Sequence, residues 1–148
     1  MSDTSRQMVE QGWNIITDEG FVGLVGPFWQ KHADDGLVFC FPTDKRHHNL
    51  RGVLQGGALM TFADRVLGMT TRILTKAPRT ATMQLDIQFI DAVQIGETVE
   101  ARPKLLRATR NTAFLSSTLT VGERVVGNAH GMWKLLHPRD PDTKPREA

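Results

Sequence analysis

Residues 48–74, HNLRGVLQGGALMTFADRVLGMTTRIL, constrain this chain more than any other stretch. They leave a loop, pass through a Gly-Gly pair and run on as the longest uninterrupted helical pattern in the sequence, with Asp64 as the one acidic residue inside it. Gly56 and Gly57 open the helix and Pro78 cannot continue it, which predicts about five turns. At about 100° per residue the helix sorts into two faces. Leu59, Phe62, Ala63, Val66, Met69 and Ile73 form an apolar stripe that needs a sheet to cover it. Gly57, Met60, Thr61, Asp64, Gly68 and Thr71 fall opposite, a small and polar face around a single carboxylate.

That second face costs helix stability. Gly57 and Gly68 are each worse than Ala in a helix interior by roughly 1 kcal/mol, and small residues let another backbone or a ligand come close. The glycine N–H groups at the helix N-terminus, together with the positive end of the helix dipole, favour an oxygen anion. Asp64 lies eight residues beyond Gly56, a rise of about 12 Å, so it cannot reach an oxygen held at the Gly56 of its own chain. If the two act together, Asp64 comes from a second copy. The alternative leaves Gly-Gly as a plain helix start and Asp64 as a solvated residue.

With 148 residues the chain suits one domain that buries its own core. No apolar run approaches the ~20 residues of a membrane span, and the polar start MSDTSRQMVEQ lacks the layout of a signal peptide. A lone cysteine, Cys40, sits in the apolar run LVFCF as a buried structural thiol and excludes an internal disulfide framework. A cytoplasmic setting is expected. The formal charge of +2, without a polybasic run or an aromatic-interleaved basic strip, argues against nucleic acid as a partner. No cofactor is implied, and His47, His48 and His130 have no carboxylate spacing to support a metal. Basic residues do gather at Arg102, Lys104, Arg107 and Arg110, and at Arg72, Lys76 and Arg79; they are solvated surface or a meeting point for phosphate.

In chain order, residues 4–17 pattern as a short amphipathic helix with Met8, Gly12, Ile15 and Ile16 on one side. GFVGLVGPFWQ is too irregular to assign until Trp29 begins a short strand, and Gly36 to Phe41 is a better one. PTDKRHHN is a loop that brings His47, His48 and Asn49 to the front of the long helix. After Pro78 the period becomes 2: Met83, Leu85, Ile87 and Phe89 alternate with Thr82, Gln84, Asp86 and Gln88. Ile95-Gly96-Glu97 is a turn, and Thr98 to Ala108 is a strand weakened by Pro103. Asn111 to Val121 and Arg124 to Leu136 are strands joined by Gly122-Glu123. This order is α+β, an antiparallel sheet wrapped around one long central helix. The sheet's open edge and uncovered side predict association, a dimer at least. Residues 137–148, with three prolines and no apolar periodicity, read as a flexible tail, and residues 1–19 as a helical extension.

The loop and helix also carry a spaced set: His48, Asn49, Gly52, Gln55, Gly56, Gly57 and, mid-helix, Asp64. Thr82 to Ala92 and Gly96-Glu97 follow as an alternating strand opened by a hydroxyl and a Gly-acid turn. Over roughly residues 20–136 this resembles the hotdog fold and, within it, the PaaI-like acyl-CoA thioesterases, relatives of the phenylacetyl-CoA and 4-hydroxybenzoyl-CoA enzymes. The resemblance implies a thioester hydrolase with its active site at the interface of a homodimer, in a homotetramer. It implies that the Gly56 N–H polarises the thioester carbonyl, that Asn49 assists in positioning, and that the partner subunit supplies Asp64 as general base or nucleophile. It also implies that Thr82 orients the attacking water. Gln55 stands where the family usually has His; its amide still hydrogen bonds but does not titrate near neutral pH. His48, Gln55, Gly57, Met60 and Thr61 are expected near the substrate. Phe21, Val22, Leu24 and Phe28 are expected to line the acyl pocket with Met60 and Thr61. Arg107 and Arg110 are candidate contacts for the phosphates of coenzyme A. A non-catalytic acyl-CoA-binding protein is the alternative, with a hydratase or dehydratase behind it.

Overall fold

The axis of the molecule is helix α3, the twenty residues Gly56–Thr75. A computed structural model describes residues 1–138, so the tail expected over 137–148 lies outside the described residues from residue 139 onward. Before the axis come helix α1 (Asp3–Glu10), strand β1 (Asn14–Ile16), helix α2 (Gly20–Val25), strands β2 (Phe28–Ala33) and β3 (Gly36–Pro42), and one 3-10 turn at Lys45–His47. After it come β4 (Arg79–Phe89), β5 (Thr98–Ala101), β6 (Lys104–Ala108), β7 (Thr112–Val121) and β8 (Arg124–Leu136). The strands form one sheet in the order β1-β2-β3-β5-β7-β8-β4, with β6 continuing beside β7. All the pairings are antiparallel. The fold is α+β, a sheet wrapped around a long central helix.

The buried face of α3 is turned from the stripe read in the sequence. Ala58, Leu59, Phe62, Ala63, Val66, Leu67, Thr70 and Thr71 are buried, whereas Ile73 is 42% exposed. Thr71 therefore belongs to the core face and not to the polar one. Its hydroxyl donates to the Leu67 carbonyl at 2.9 Å, and that of Thr70 donates to Val66 at 2.7 Å. A threonine that satisfies its hydroxyl within its own helix is buried without an orphaned polar group.

At the N-terminus the helix is shorter than its pattern. Gly12, at φ +82°, takes the left-handed conformation that ends α1 two residues earlier, and Asn14–Ile16 extend as a strand against Phe28–Gln30. Met8, Trp13, Trp29, Val38 and Cys40 make a second small core there. Burial pushes the Cys40 thiol well above its ordinary value, which makes it inert. Residues 20–25, unassigned from sequence, form α2. The strand expected over Thr98 to Ala108 is two strands, interrupted at Arg102-Pro103.

Strand β4 departs from simple alternation. Thr82 faces Trp133 and Gln84 faces Met132, so Met83 is an extra residue, a β-bulge. The bulge changes which parity faces the helix. Thr82 bonds to α3, and beyond the bulge Leu85 and Ile87 pack on the core. Met83, expected inward, is 55% exposed. Among the described residues β4 pairs only with β8, leaving its other edge open.

The segment between β4 and β5 is fixed by Arg124, whose guanidinium bonds Asp91 Oδ2 at 3.0 Å, the Ala92 carbonyl at 2.7 Å and Glu97 Oε2 at 2.7 Å. Arg124 holds the Asp91 carboxyl below its ordinary value; the Gln94 N–H, then Arg124, do the same for Glu97. Folded values that are lowered supply stability above the ordinary carboxylate range and lose it as pH falls through them. Arg124→Met is expected to flatten the acid side of the stability profile, followed by urea unfolding from about pH 6 down to pH 2. An acid limb identical to wild type would remove this network from the account.

Candidate active site

The loop before α3 is built by its own side chains. Asp44 Oδ1 accepts from the Arg46 N–H, and the Asp44 N–H donates to His47 Nδ1 at 2.9 Å. The remaining ring proton is therefore on Nε2, which donates to the Val25 carbonyl at 2.6 Å. His47 is buried with its ring edge-on to Phe41, so it is a structural histidine. His48 is the exposed one of the pair, with Nδ1 2.9 Å from the Asn49 carbonyl. Arg46 grips the carbonyls of Leu24 at 3.1 Å and Gly26 at 2.8 Å. The end of α2 is thus tied to the loop at three successive carbonyls.

Asn49 folds the next turn. Its side-chain oxygen accepts from the N–H groups of Arg51 and Val53, and Gly52 adopts φ +81° to close it. Gln55 then caps α3, with Oε1 accepting from the Ala58 N–H at 3.0 Å. The N–H groups of Gly56 and Gly57 have no acceptor among the described residues. Gln55 thus satisfies one helix-end donor and leaves the two before it for a ligand. Gln55→Ala is expected to cost about 1 kcal/mol through loss of this cap, read as a lower urea midpoint with an unchanged slope; an unshifted midpoint would deny the cap its role.

Three of the clefts along α3 hold residues singled out from the sequence. One of about 450 Å³ contains Asn49, Gly56, Leu59, Phe89, Asp91 and Val93. The Phe89 ring lies so close that a Cβ on residue 56 would come within 3.2 Å of it. A second, about 420 Å³, brings Gln55, Gly57 and His48 against Phe21 and Leu24 of α2. Those two apolar residues are 68% and 73% exposed. The third, about 240 Å³, holds Asp64, Gly68, Thr82 and Trp133. There the Thr82 hydroxyl donates to Asp64 Oδ1 at 2.7 Å, an ionic hydrogen bond that fixes the carboxylate.

A family model matches more than half of the chain. The model described as the thioesterase superfamily matches residues 51–128, which include the end of the loop, all of α3, the bulged strand, all of β7 and the start of β8. The chain belongs to the thioesterase superfamily. A Pseudomonas aeruginosa protein named as an esterase is 32% identical over 123 residues, covering 82% of this chain and 92% of that one. Among solved structures, the Escherichia coli PaaI protein of the phenylacetic acid degradation operon matches with a TM-score of 0.64 and 16% identity, over 88% of this chain and 84% of that one. A Streptococcus pneumoniae thioesterase solved with coenzyme A matches with a TM-score of 0.68 and 18% identity, over 80% and 97%. At these identities the two structures share the hotdog fold.

In this superfamily chain the residues singled out from sequence fall into separate groups. Asn49 joins Gly56; His48, Gln55 and Gly57 join α2; Asp64 joins Thr82. Met60 is half-buried, and the Thr61 hydroxyl donates to the Gly57 carbonyl at 2.8 Å. Neither borders these three clefts. Arg107 and Arg110 are exposed at the end of β6 and the turn after it, also away from them. Phe28, expected in the acyl pocket, is 1% exposed and packs edge-on against Phe41 and tilted against Phe62, with ring centroids 4.9 and 5.2 Å away. It is core. Trp133, at the floor of the Asp64 cleft, was not legible as a site residue, because an inward tryptophan on an alternating strand reads as core.

Proposed function

We propose that this protein is an acyl-CoA thioesterase, a homodimer or a pair of such dimers with each active site built across a subunit interface. The observation that carries the reading is the Asp64–Thr82 pair in one cleft, with the free Gly56 N–H of the same helix in another. Neither half suffices for acyl transfer. Docked against the other half from a second copy, each supplies what the other lacks, and the open edge of β4 offers a route to such association.

The chemistry follows from the groups. The thioester carbonyl oxygen sits at the Gly56 N–H, whose fixed dipole stabilises the charge that grows there. Asn49 shapes the loop that holds this position. Water, oriented by Thr82 and Asp64 of the partner subunit, attacks the carbonyl carbon as Asp64 takes its proton. The tetrahedral intermediate then expels coenzyme A as thiolate, which is protonated, and releases the free acid. Direct attack by Asp64 through an anhydride satisfies the same geometry, and single turnover in labelled water separates the two by which oxygen enters the product. Coenzyme A as carrier is supported by the pneumococcal neighbour solved with it, and Arg107 and Arg110 are proposed to meet its phosphates. Residues 20–136 form the catalytic domain in this proposal, with 1–19 an extension of it and a cytoplasmic setting. Among the described residues no helix is long and apolar enough to cross a membrane.

Thiol release from aryl, short, medium and long acyl-CoAs tests the activity, and subunit mixing tests the site. Asp64→Asn and Gly56→Val homodimers are each expected to be inactive. Random re-assortment makes half of the dimers mixed, each with one intact site, so about a quarter of wild-type turnover returns. No recovery would place both halves of the site in one subunit. Acyl-CoA binding without thiol release would leave a binding protein.

A further inference from the structure

We infer that Met60 stands on the two-fold axis of the proposed dimer, where it meets its own copy and sets the spacing between the Gly56 N–H of one subunit and Asp64 of the other. This inference rests on the thioesterase reading above.

Helix geometry fixes the midpoint of the proposed site. Gly56, Met60 and Asp64 all lie on α3. From Gly56, Asp64 is about 12 Å up the helix and about 80° round it, and Met60 is about 6 Å up and about 40° round, halfway in both. A two-fold axis that exchanges Gly56 with Asp64 must pass midway between them. An axis running along the helix keeps every residue at its own height and never brings Gly56 to Asp64. The axis therefore crosses α3, the two helices run antiparallel, and residue 60 of each faces residue 60 of the other.

The side chains at that point suit a meeting of identical surfaces. On a two-fold each group meets its own copy, so a charge at the axis would face a like charge, which is strongly unfavourable. Gly57, Met60 and Thr61 are uncharged, and the arginines of this helix, Arg65 and Arg72, come only after Asp64. Met60 is half-buried within its own subunit, and the Thr61 hydroxyl is taken up by the Gly57 carbonyl at 2.8 Å. Methionine is enriched at interfaces and adapts its shape to a neighbour. Packed helices lie about 8–10 Å apart according to the side chains at the contact. The bulk of Met60 thus decides how closely the turn that presents Gly56 approaches the Asp64–Thr82 pair. Met60 touches no reacting atom in this arrangement; it is a positioning residue shared by both sites of the dimer.

Cross-linking and kinetics on the whole chain test the inference. Met60→Cys, treated with a short bis-maleimide, is expected to run as a covalent dimer, with the buried Cys40 silent. Arg72→Cys is the control: it is exposed and twelve residues further along the helix. At about 18 Å from the axis its two copies end about 36 Å apart and stay unlinked. Met60→Ala is expected to lower kcat for thiol release by about tenfold or more, within the roughly hundredfold that a 1 Å misplacement can cost, while acyl-CoA affinity changes little. Met60→Leu, close in volume, is expected to keep kcat near wild type. No link at residue 60, or an equal link at residue 72, would overturn the inference, and wild-type thiol release would leave the thioesterase reading standing. Full kcat in Met60→Ala would likewise overturn it. No thiol release from any thioester by wild type would remove both.

Discussion

Asp64→Asn is expected to lower kcat for thioester hydrolysis by about a thousandfold, within the range by which a positioned base accelerates proton transfer, while acyl-CoA affinity changes little. Asn is nearly isosteric and still accepts from the Thr82 hydroxyl through its carbonyl oxygen, so the 2.7 Å contact and the cleft survive. What disappears is the negative charge that takes a proton from water or attacks carbon itself. The measurement is thiol release beside calorimetric binding of the same acyl-CoA. A loss of binding equal to the loss of rate would make Asp64 a substrate anchor, and unchanged turnover would remove it from the chemistry. Thr82→Ala is the companion variant: it keeps the base but not its orientation, so its loss is expected to be smaller.

Gly131→Ala is expected to be the most damaging single methyl in the sheet. A Cβ on residue 131 would overlap the Gln84 carbonyl oxygen on the neighbouring strand and sit 3.0 Å from the Trp133 ring. The nearest obstruction is backbone, which cannot swing aside as a side chain can. Overpacking of this kind costs typically 1–3 kcal/mol and sometimes more; we expect the upper end, about 3 kcal/mol. Urea unfolding followed by tryptophan fluorescence reads it directly. Since Gln84 ends the bulge that aims Thr82, activity is expected to fall further than stability accounts for at temperatures where the variant remains folded. A variant as stable as wild type would mean that β4 and β8 separate more easily than their register indicates.

Much of this was written in the sequence, for reasons that differ by element. Helix α3 and strand β8 are long and bounded by turn residues, so their limits emerge close to Gly56–Thr75 and Arg124–Leu136. The separation of Gly56 from Asp64 follows from helix rise alone. Helix α2 is six residues with two glycines, too short for period 3.6 to register. Thr70 and Thr71 look polar to any hydropathy count, and only their bonds to carbonyls one turn back make them core. In β4, counting by twos from Leu85 places Thr82 on the far face; its position came from family resemblance, and the bulge at Met83 is what reconciles the two. His47 and His48 are identical as letters, and only the fold separates the buried one from the exposed one.

The loop at Arg46 and His47 has a consequence for anyone who would re-engineer this protein. By gripping three successive carbonyls of residues 24–26, it couples the wall formed by Phe21 and Leu24 to the turn that presents Gly56. A specificity swap that transplants residues 20–26 from a relative without residues 43–57 would seat a foreign wall on an unmatched hinge. The two segments, far apart in the gene, behave as one exchangeable cassette.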